Sequence, residues 1–148
     1  MKEYPIGLIP GPTSIAPQVR NAWQNNFGSS DLEPEFFDLY AQNQKLLQTL
    51  LGTKESVVIT SGEAMSILWG GLKNTLKPGD TLLAVSSGLF GEGFADMARS
   101  IGVHAETVSA PYDSLPNPDD VRKAALRLRP QMITAVHCET PSGTLTPL

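Results

Sequence analysis

The chain has 148 residues, 15 acidic against 11 basic side chains for a formal charge of −4, 41% hydrophobic residues and one cysteine. That length suits one domain, and at this size roughly 70% of the unfolded surface can be buried, so a real core is possible and disorder is excluded. The acidic balance speaks against a nucleic-acid surface, the lone Cys138 excludes an intrachain disulfide and a cysteine-based zinc site and suits a reducing cytoplasm, no apolar run approaches the roughly 18–20 residues of a membrane span, and the start lacks the apolar core of a secretory signal.

An irregular apolar stretch, Ile6-Gly7-Leu8-Ile9, leads to Pro10-Gly11-Pro12, which forbids helix and fixes a turn or extended arm. A short helix is predicted around residues 16–24, with a loop over 25–30. From Glu35 to Leu51, Phe36, Leu39, Tyr40, Leu46, Leu47, Leu50 and Leu51 fall on a 3.6-residue period, and Gly52 stands where a glycine stops a helix. Ser56-Val57-Val58-Ile59-Thr60 reads as a buried strand. Thr60 and Glu63 have capping-box spacing, and Ala64, Ile67, Leu68 and Leu72 continue as a helix face. Lys77-Pro78-Gly79-Asp80 is a turn.

The pattern then recurs: a strand over 81–85, a helix carrying Phe90, Phe94, Met97, Ala98 and Ile101 and ended by Gly102, and a weaker strand over 103–108. Asn117 is an N-cap before Pro118, with Asp119 and Asp120 in the first turn and Val121, Ala124, Ala125 and Leu128 facing inward. Pro130 closes that helix, 132–136 is the next strand, and Thr144-Leu145-Thr146-Pro147-Leu148 leads toward another helix. Strand–helix alternation with short connections predicts an α/β fold, a mainly parallel sheet with helices on both faces. The domain reading is an amino-terminal arm and short helix over 1–30, then the first part of a large domain over 31–148.

Ligands of open α/β sheets collect at the carboxyl ends of the strands. Three segments belong there: Thr60-Ser61-Gly62-Glu63-Ala64, Ser86-Ser87-Gly88-Leu89-Phe90-Gly91 and His137-Cys138-Glu139-Thr140-Pro141-Ser142-Gly143-Thr144. The first suits a phosphate through free backbone N–H groups, or is simply a capped helix start. Glu63 would repel a phosphate, so its side chain must turn back to cap. It is neither a Walker loop nor a dinucleotide fingerprint. In the second, Phe90 lies between glycines and can approach a flat ligand, or is a core aromatic. The third offers a hydrogen-bonding ledge, or is an ordinary turn. His137 and Cys138 are a poor nucleophile pair, because adjacent side chains of an extended chain diverge. His104 belongs to the opposite edge.

Taken in order, Pro10-Gly11-Pro12, Glu33-Pro34-Glu35-Phe36, Thr60-Ser61-Gly62-Glu63-Ala64-Met65, Lys77-Pro78-Gly79-Asp80, Gly88-Leu89-Phe90-Gly91 and Glu139-Thr140-Pro141-Ser142-Gly143 resemble the class V aminotransferases, pyridoxal-phosphate enzymes of fold type I, nearest to the alanine–glyoxylate and serine–glyoxylate group. The resemblance covers essentially the whole chain. It implies a cofactor, pyridoxal 5′-phosphate, with Ser61, Gly62, Glu63 and Ala64 as the phosphate cup, Phe90 as the ring-stacking aromatic and Thr140 near the ring hydroxyl. Pro10 and Gly11 would lie beside the substrate pocket. It also implies a cytoplasmic homodimer moving an amino group from a small amino acid to a 2-oxo acid such as glyoxylate or pyruvate, with no nucleic-acid, membrane or metal partner. Departures stand at Glu63, Ser30-Asp31-Leu32 and Phe90, where many members differ.

Such chemistry needs a Schiff-base lysine and an acid at the pyridine nitrogen. None of Lys2, Lys45, Lys54, Lys73, Lys77 and Lys123 is well placed, and in the family both groups follow the Glu139–Gly143 motif. The chain therefore reads as the first part of a longer enzyme, with no catalytic residue of its own and inactive alone. The alternatives are another class V enzyme (a lyase, desulfurase or phosphonate transaminase) and a non-catalytic nucleotide-binding α/β module.

Overall fold

The computed structural model describes residues 10–26 and 28–147. The stretch Ile6–Ile9 and Lys2 lie outside the described residues. The chain divides into two compact units, Met1–Ser61 and Gly62–Leu148.

The first unit contains α1 (Pro17–Ala22) and α2 (Pro34–Leu51), each started by a proline whose missing N–H costs nothing in a first turn. Gly52, at φ +63°, ends α2 in the left-handed region that glycine adopts freely. The periodic leucines of α2 are not buried: Leu46, Leu50 and Leu51 are exposed.

The expected strand over Ser56–Thr60 is not part of a sheet. Its backbone is extended but bonds to side chains of α2. Gln48 Nε2 donates to Glu55 O at 3.0 Å, and Gln44 Nε2 donates to Val57 O at 2.8 Å. The Tyr40 hydroxyl donates to Ile59 O at 3.3 Å and accepts from Ile59 N–H at 3.2 Å. The spacing explains the fit. Four helical residues rise about 6 Å and two extended residues about 6.6 Å, so Tyr40, Gln44 and Gln48 keep step with Ile59, Val57 and Glu55. The β-branched run sets the extended backbone, and the helix supplies the partners that a neighbouring strand was expected to supply.

The second unit is α/β. It runs α3 (Ala64–Thr75), β1 (Thr81–Ser86), α4 (Leu89–Ser100), β2 (His104–Ser109), α5 (Pro118–Leu128), β3 (Met132–Ala135), β4 (Cys138–Glu139) and β5 (Thr144–Leu145). β1 is the central strand of a parallel sheet of order β2-β1-β3, with Leu83 opposite Glu106 and Ile133. Alternation along β1 separates its two faces. Leu82 and Ala84 pack with Leu72 and Leu76 of the α3 end and with Ala95 and Ala98 of α4. Val85, on the other face, lines with Val121 of α5 and Ile133 an apolar cavity of about 330 Å³. Helices thus cover both faces of β1, as strand–helix alternation requires. α5 is also tied to β2 by Arg127, whose guanidinium donates to both Glu106 oxygens and holds that carboxyl below its usual range, against the opposing effect of burial.

Two local expectations are corrected. The N-cap of α3 is Glu63, not Thr60, because the longer carboxylate reaches the Met65 and Ser66 amides itself. The segment after Gly143 continues as β5, paired antiparallel with β4 (Cys138 with Leu145, Glu139 with Thr144), rather than as a helix start. The turn is closed by Gly143 N–H donating to Glu139 O at 2.8 Å.

Tyr40→Phe removes both bonds to Ile59 and leaves a half-buried amide and carbonyl without protein partners. It should lower the unfolding free energy by about 1–3 kcal/mol in urea titration, at unchanged slope. An unchanged midpoint would show that the tyrosine ladder holds nothing.

Candidate functional site

α4 has no side-chain cap of its own: its N-cap is Gly88. The acceptor comes from β4. Glu139, 0% exposed, receives Phe90 N–H on one carboxylate oxygen at 2.9 Å and Gly91 N–H on the other at 3.0 Å. A negative group at a helix N-terminus also meets the positive end of the helix dipole. Two glycines permit the approach. A Cβ on Gly88 would lie 2.7 Å from Glu139 Cγ, and one on Gly91 would lie 2.7 Å from both Ser86 Cα and Ser86 Oγ. Ser86 Oγ, buried at the end of β1, donates to Gly88 O at 2.8 Å. The Ser87 hydroxyl is buried with no hydrogen-bond partner among the described residues.

Glu63 behaves as the sequence requires, its carboxylate turned back onto Met65 N–H at 2.7 Å and Ser66 N–H at 3.3 Å. Gly62 opens this turn, with nothing within 4 Å of the position its Cβ would take. The amides of Gly62, Glu63 and Ala64, all exposed residues, have no acceptor among the described residues. The first turns of α3 and α4 are adjacent: a Cβ on Gly93 would lie 3.4 Å from the Met65 methyl.

The structure thus ties half-buried Phe90 to the turn of exposed Thr140 through Glu139, while Gly62–Ala64 start the neighbouring helix α3, which meets α4 at Met65 and Gly93. Ser61 closes the first unit, where with Phe36, Leu39, Tyr40, Asn43 and Ile59 it lines an open cleft of about 290 Å³. Pro10 and Gly11 are exposed residues of that first unit.

Around Thr140 the polar groups are mutually engaged. Ser142 Oγ lies 2.8 Å from Thr144 Oγ1, which donates to Tyr112 O at 3.0 Å. His137 Nδ1 is 2.7 Å from Thr146 O, so the ring is held by the strand partner rather than directed at Cys138, which is exposed. Desolvation raises the Tyr112 hydroxyl above its usual range, and the carboxylates of Glu92 and Glu139 add to the shift. His104 starts β2, exposed and on the far edge, as expected. Of the lysines of this unit, Lys73, in the last turn of α3, lies over the Trp69 ring, and Lys123 pairs with Asp120. Among the described residues no cluster of three or more His, Cys, Asp or Glu side chains could hold a metal ion, and no helix is long and apolar enough to cross a membrane.

Sequence reasoning missed the role of Glu139, although a glycine-started helix with no capping side chain signals that an acceptor must come from elsewhere.

This edge can be compared with known proteins. The chain is 28% identical over 156 residues to the pyridoxamine–pyruvate transaminase of Mesorhizobium japonicum, covering 100% of this chain and 39% of that protein. It is 25% identical over 142 residues to the alanine–glyoxylate aminotransferase of Rattus norvegicus, covering 95% and 34%. The crystal structure of an alanine–glyoxylate aminotransferase from Nostoc sp. superposes with a TM-score of 0.88 at 28% identity, over 100% of this chain and 41% of that one. The relatives that this chain resembles include class V aminotransferases. No family model matches the chain. The chain spans about two fifths of the length of these class V relatives.

Gly91→Ala should lower stability by about 1–3 kcal/mol, because the methyl meets strand backbone that cannot yield. Gly70→Ala, inside α3 with open space at its Cβ, should raise it by up to about 1 kcal/mol. Urea midpoints compare the two; equal effects would mean that α4 can retreat from β1.

Proposed function

We propose that the chain is the cofactor-binding part of an aminotransferase that moves an amino group from a small amino acid, of alanine or serine type, to a 2-oxo acid such as glyoxylate or pyruvate. The observation that carries this reading is the tie through Glu139 between an aromatic flanked by glycines and a threonine turn, with a helix start of unpaired amides on the neighbouring α3. These suit a flat ring, a ring hydroxyl and a phosphate respectively, the three parts of pyridoxal 5′-phosphate. Bound there, that group supplies an electron sink for the substrate carbon.

The chain's own residues do the holding. The Gly62, Glu63 and Ala64 amides donate to the phosphate beside Ser61, the apolar face of Phe90 fixes the plane of the ring, and the Thr140 hydroxyl bonds near the ring hydroxyl. Pro10 and Gly11 lie beside the amino-acid substrate. A homodimer in the cytoplasm completes the reading, supported by family likeness and by a single, exposed cysteine.

The ring end fits these residues; the phosphate end fits on three amides and is opposed by one carboxylate. Glu63 occupies the Met65 and Ser66 amides at the helix end where an anion would be most favoured. That observation favours a second reading, in which the ring arrives without a phosphate, as the name pyridoxamine–pyruvate transaminase says of one relative.

Titration with pyridoxal 5′-phosphate and with pyridoxal, read by NMR shifts of the Phe90 ring, separates the two. In the first reading the phosphorylated ring binds more tightly, and Glu63→Ser, which keeps a capping side chain but removes the charge, tightens it roughly fivefold to tenfold further. In the second, wild type prefers pyridoxal and Glu63→Ser improves only the phosphorylated ring. Binding of neither refutes both.

A further inference from the structure

We propose that Glu139 is a positioning residue for the ring site, a role that rests on the reading of Phe90 and Thr140 given above. Its backbone and its side chain are fixed independently, and each fixes one wall. On the backbone side, Glu139 pairs with Thr144 in the β4–β5 ladder, and its carbonyl accepts from Gly143 N–H at 2.8 Å. That sets the turn in which Thr140 is the first residue. On the side-chain side, its two oxygens hold the amides of Phe90 and Gly91, 49 and 48 residues earlier in the chain, at 2.9 and 3.0 Å. The amide that Glu139 grips is that of the stacking residue itself.

A completely buried carboxylate is costly unless charge-assisted hydrogen bonds compensate it. Here two amides and the helix dipole do so, and the pairing holds only while the first turn of α4 keeps its place. At Gly88 and Gly91 there is no room for a side chain, toward Glu139 at the one and toward Ser86 at the other, so the first turn of α4 lies close against both. Phe90 and Thr140 are therefore parts of one rigid piece joined through a single side chain. No other hydrogen bond among the described residues ties the first turn of α4 to the 137–144 segment.

The test uses the 148-residue chain with pyridoxal as the probe, so that the phosphate question does not enter. Glu139→Gln keeps the shape but turns one acceptor into a donor facing an N–H. Hydrogen exchange at the Phe90 or Gly91 amide should rise about tenfold or more, and by more than at the Leu83 amide of the central strand, and pyridoxal affinity should fall about tenfold. Glu139→Asp, which keeps the charge but falls short by one methylene, should lie between wild type and Glu139→Ala. Tyr40→Phe, a destabilising change in the other unit, serves as the control for stability alone and should leave the affinity unchanged.

Unchanged exchange at Phe90 and Gly91 overturns the anchoring. Faster exchange with unchanged affinity, or an equal loss of affinity in Tyr40→Phe, overturns the positioning role. A wild type that protects both amides yet binds no pyridoxal refutes the ring reading itself and reduces Glu139 to a helix anchor.

Discussion

A helix that begins without a cap leaves backbone N–H groups that must find acceptors, and in this fold that requirement decides the arrangement of one sheet edge. α4 leaves the central strand through Ser86, Ser87 and Gly88, none of which caps the helix. The acceptor that meets the need is the carboxylate of Glu139, brought from beyond β3. Because that carboxylate is fully buried, β4 must lie against the first turn of α4, and the β4–β5 hairpin must close as it does. Removal of this one contact would leave two amides and a charge buried without partners, a larger penalty than any single apolar contact at the edge provides.

The same requirement is met differently in the neighbouring helices, and the differences determine where an anion can go. α5 is capped within its own turn: Asn117 accepts from Asp119 N–H at 2.9 Å, and Asp119 and Asp120 follow in the first turn. α4 is capped from a distance by a buried carboxylate. α3 is capped by Glu63, but only on the Met65 and Ser66 amides, and the Gly62, Glu63 and Ala64 amides have no acceptor among the described residues. It retains these three amides next to a negative charge. An anion approaching the start of α3 would compete with a resident carboxylate, a balance of a few tenths to about 2 kcal/mol of helix-end electrostatics.

Much of this could be read from residue order. The helices from Pro34, Ala64, Leu89 and Pro118 and the strands from Thr81, His104 and Met132 follow from hydrophobic period and from Gly and Pro punctuation, and the parallel order follows from their alternation. The turned-back Glu63 was legible too, since a carboxylate at a helix start has a nearby use. Contacts between residues distant in sequence were not legible. Val57 and Ile59 have the residue types of a strand, and nothing local announces that Gln44 and Tyr40 on a helix will take their backbone groups. Glu139 sits in a Gly/Pro/Ser/Thr-rich stretch, where a carboxylate is ordinarily exposed; its burial depends on two glycines about fifty residues away.

The buried carboxylate also bears on the nucleotide-binding alternative. In doubly wound sheets a dinucleotide pyrophosphate rests on the N-terminus of the helix that follows the first strand, where a glycine-rich turn exposes free amides. The corresponding place here is the start of α4, after β1, and it has the glycines. They admit Glu139 and the close approach of Ser86, not a phosphate, because the Phe90 and Gly91 amides already carry a carboxylate. A phosphate entering there would have to displace a buried negative charge and take its place beside it. The glycine pattern that in isolation fits a nucleotide site is, in this fold, the space for an internal anion.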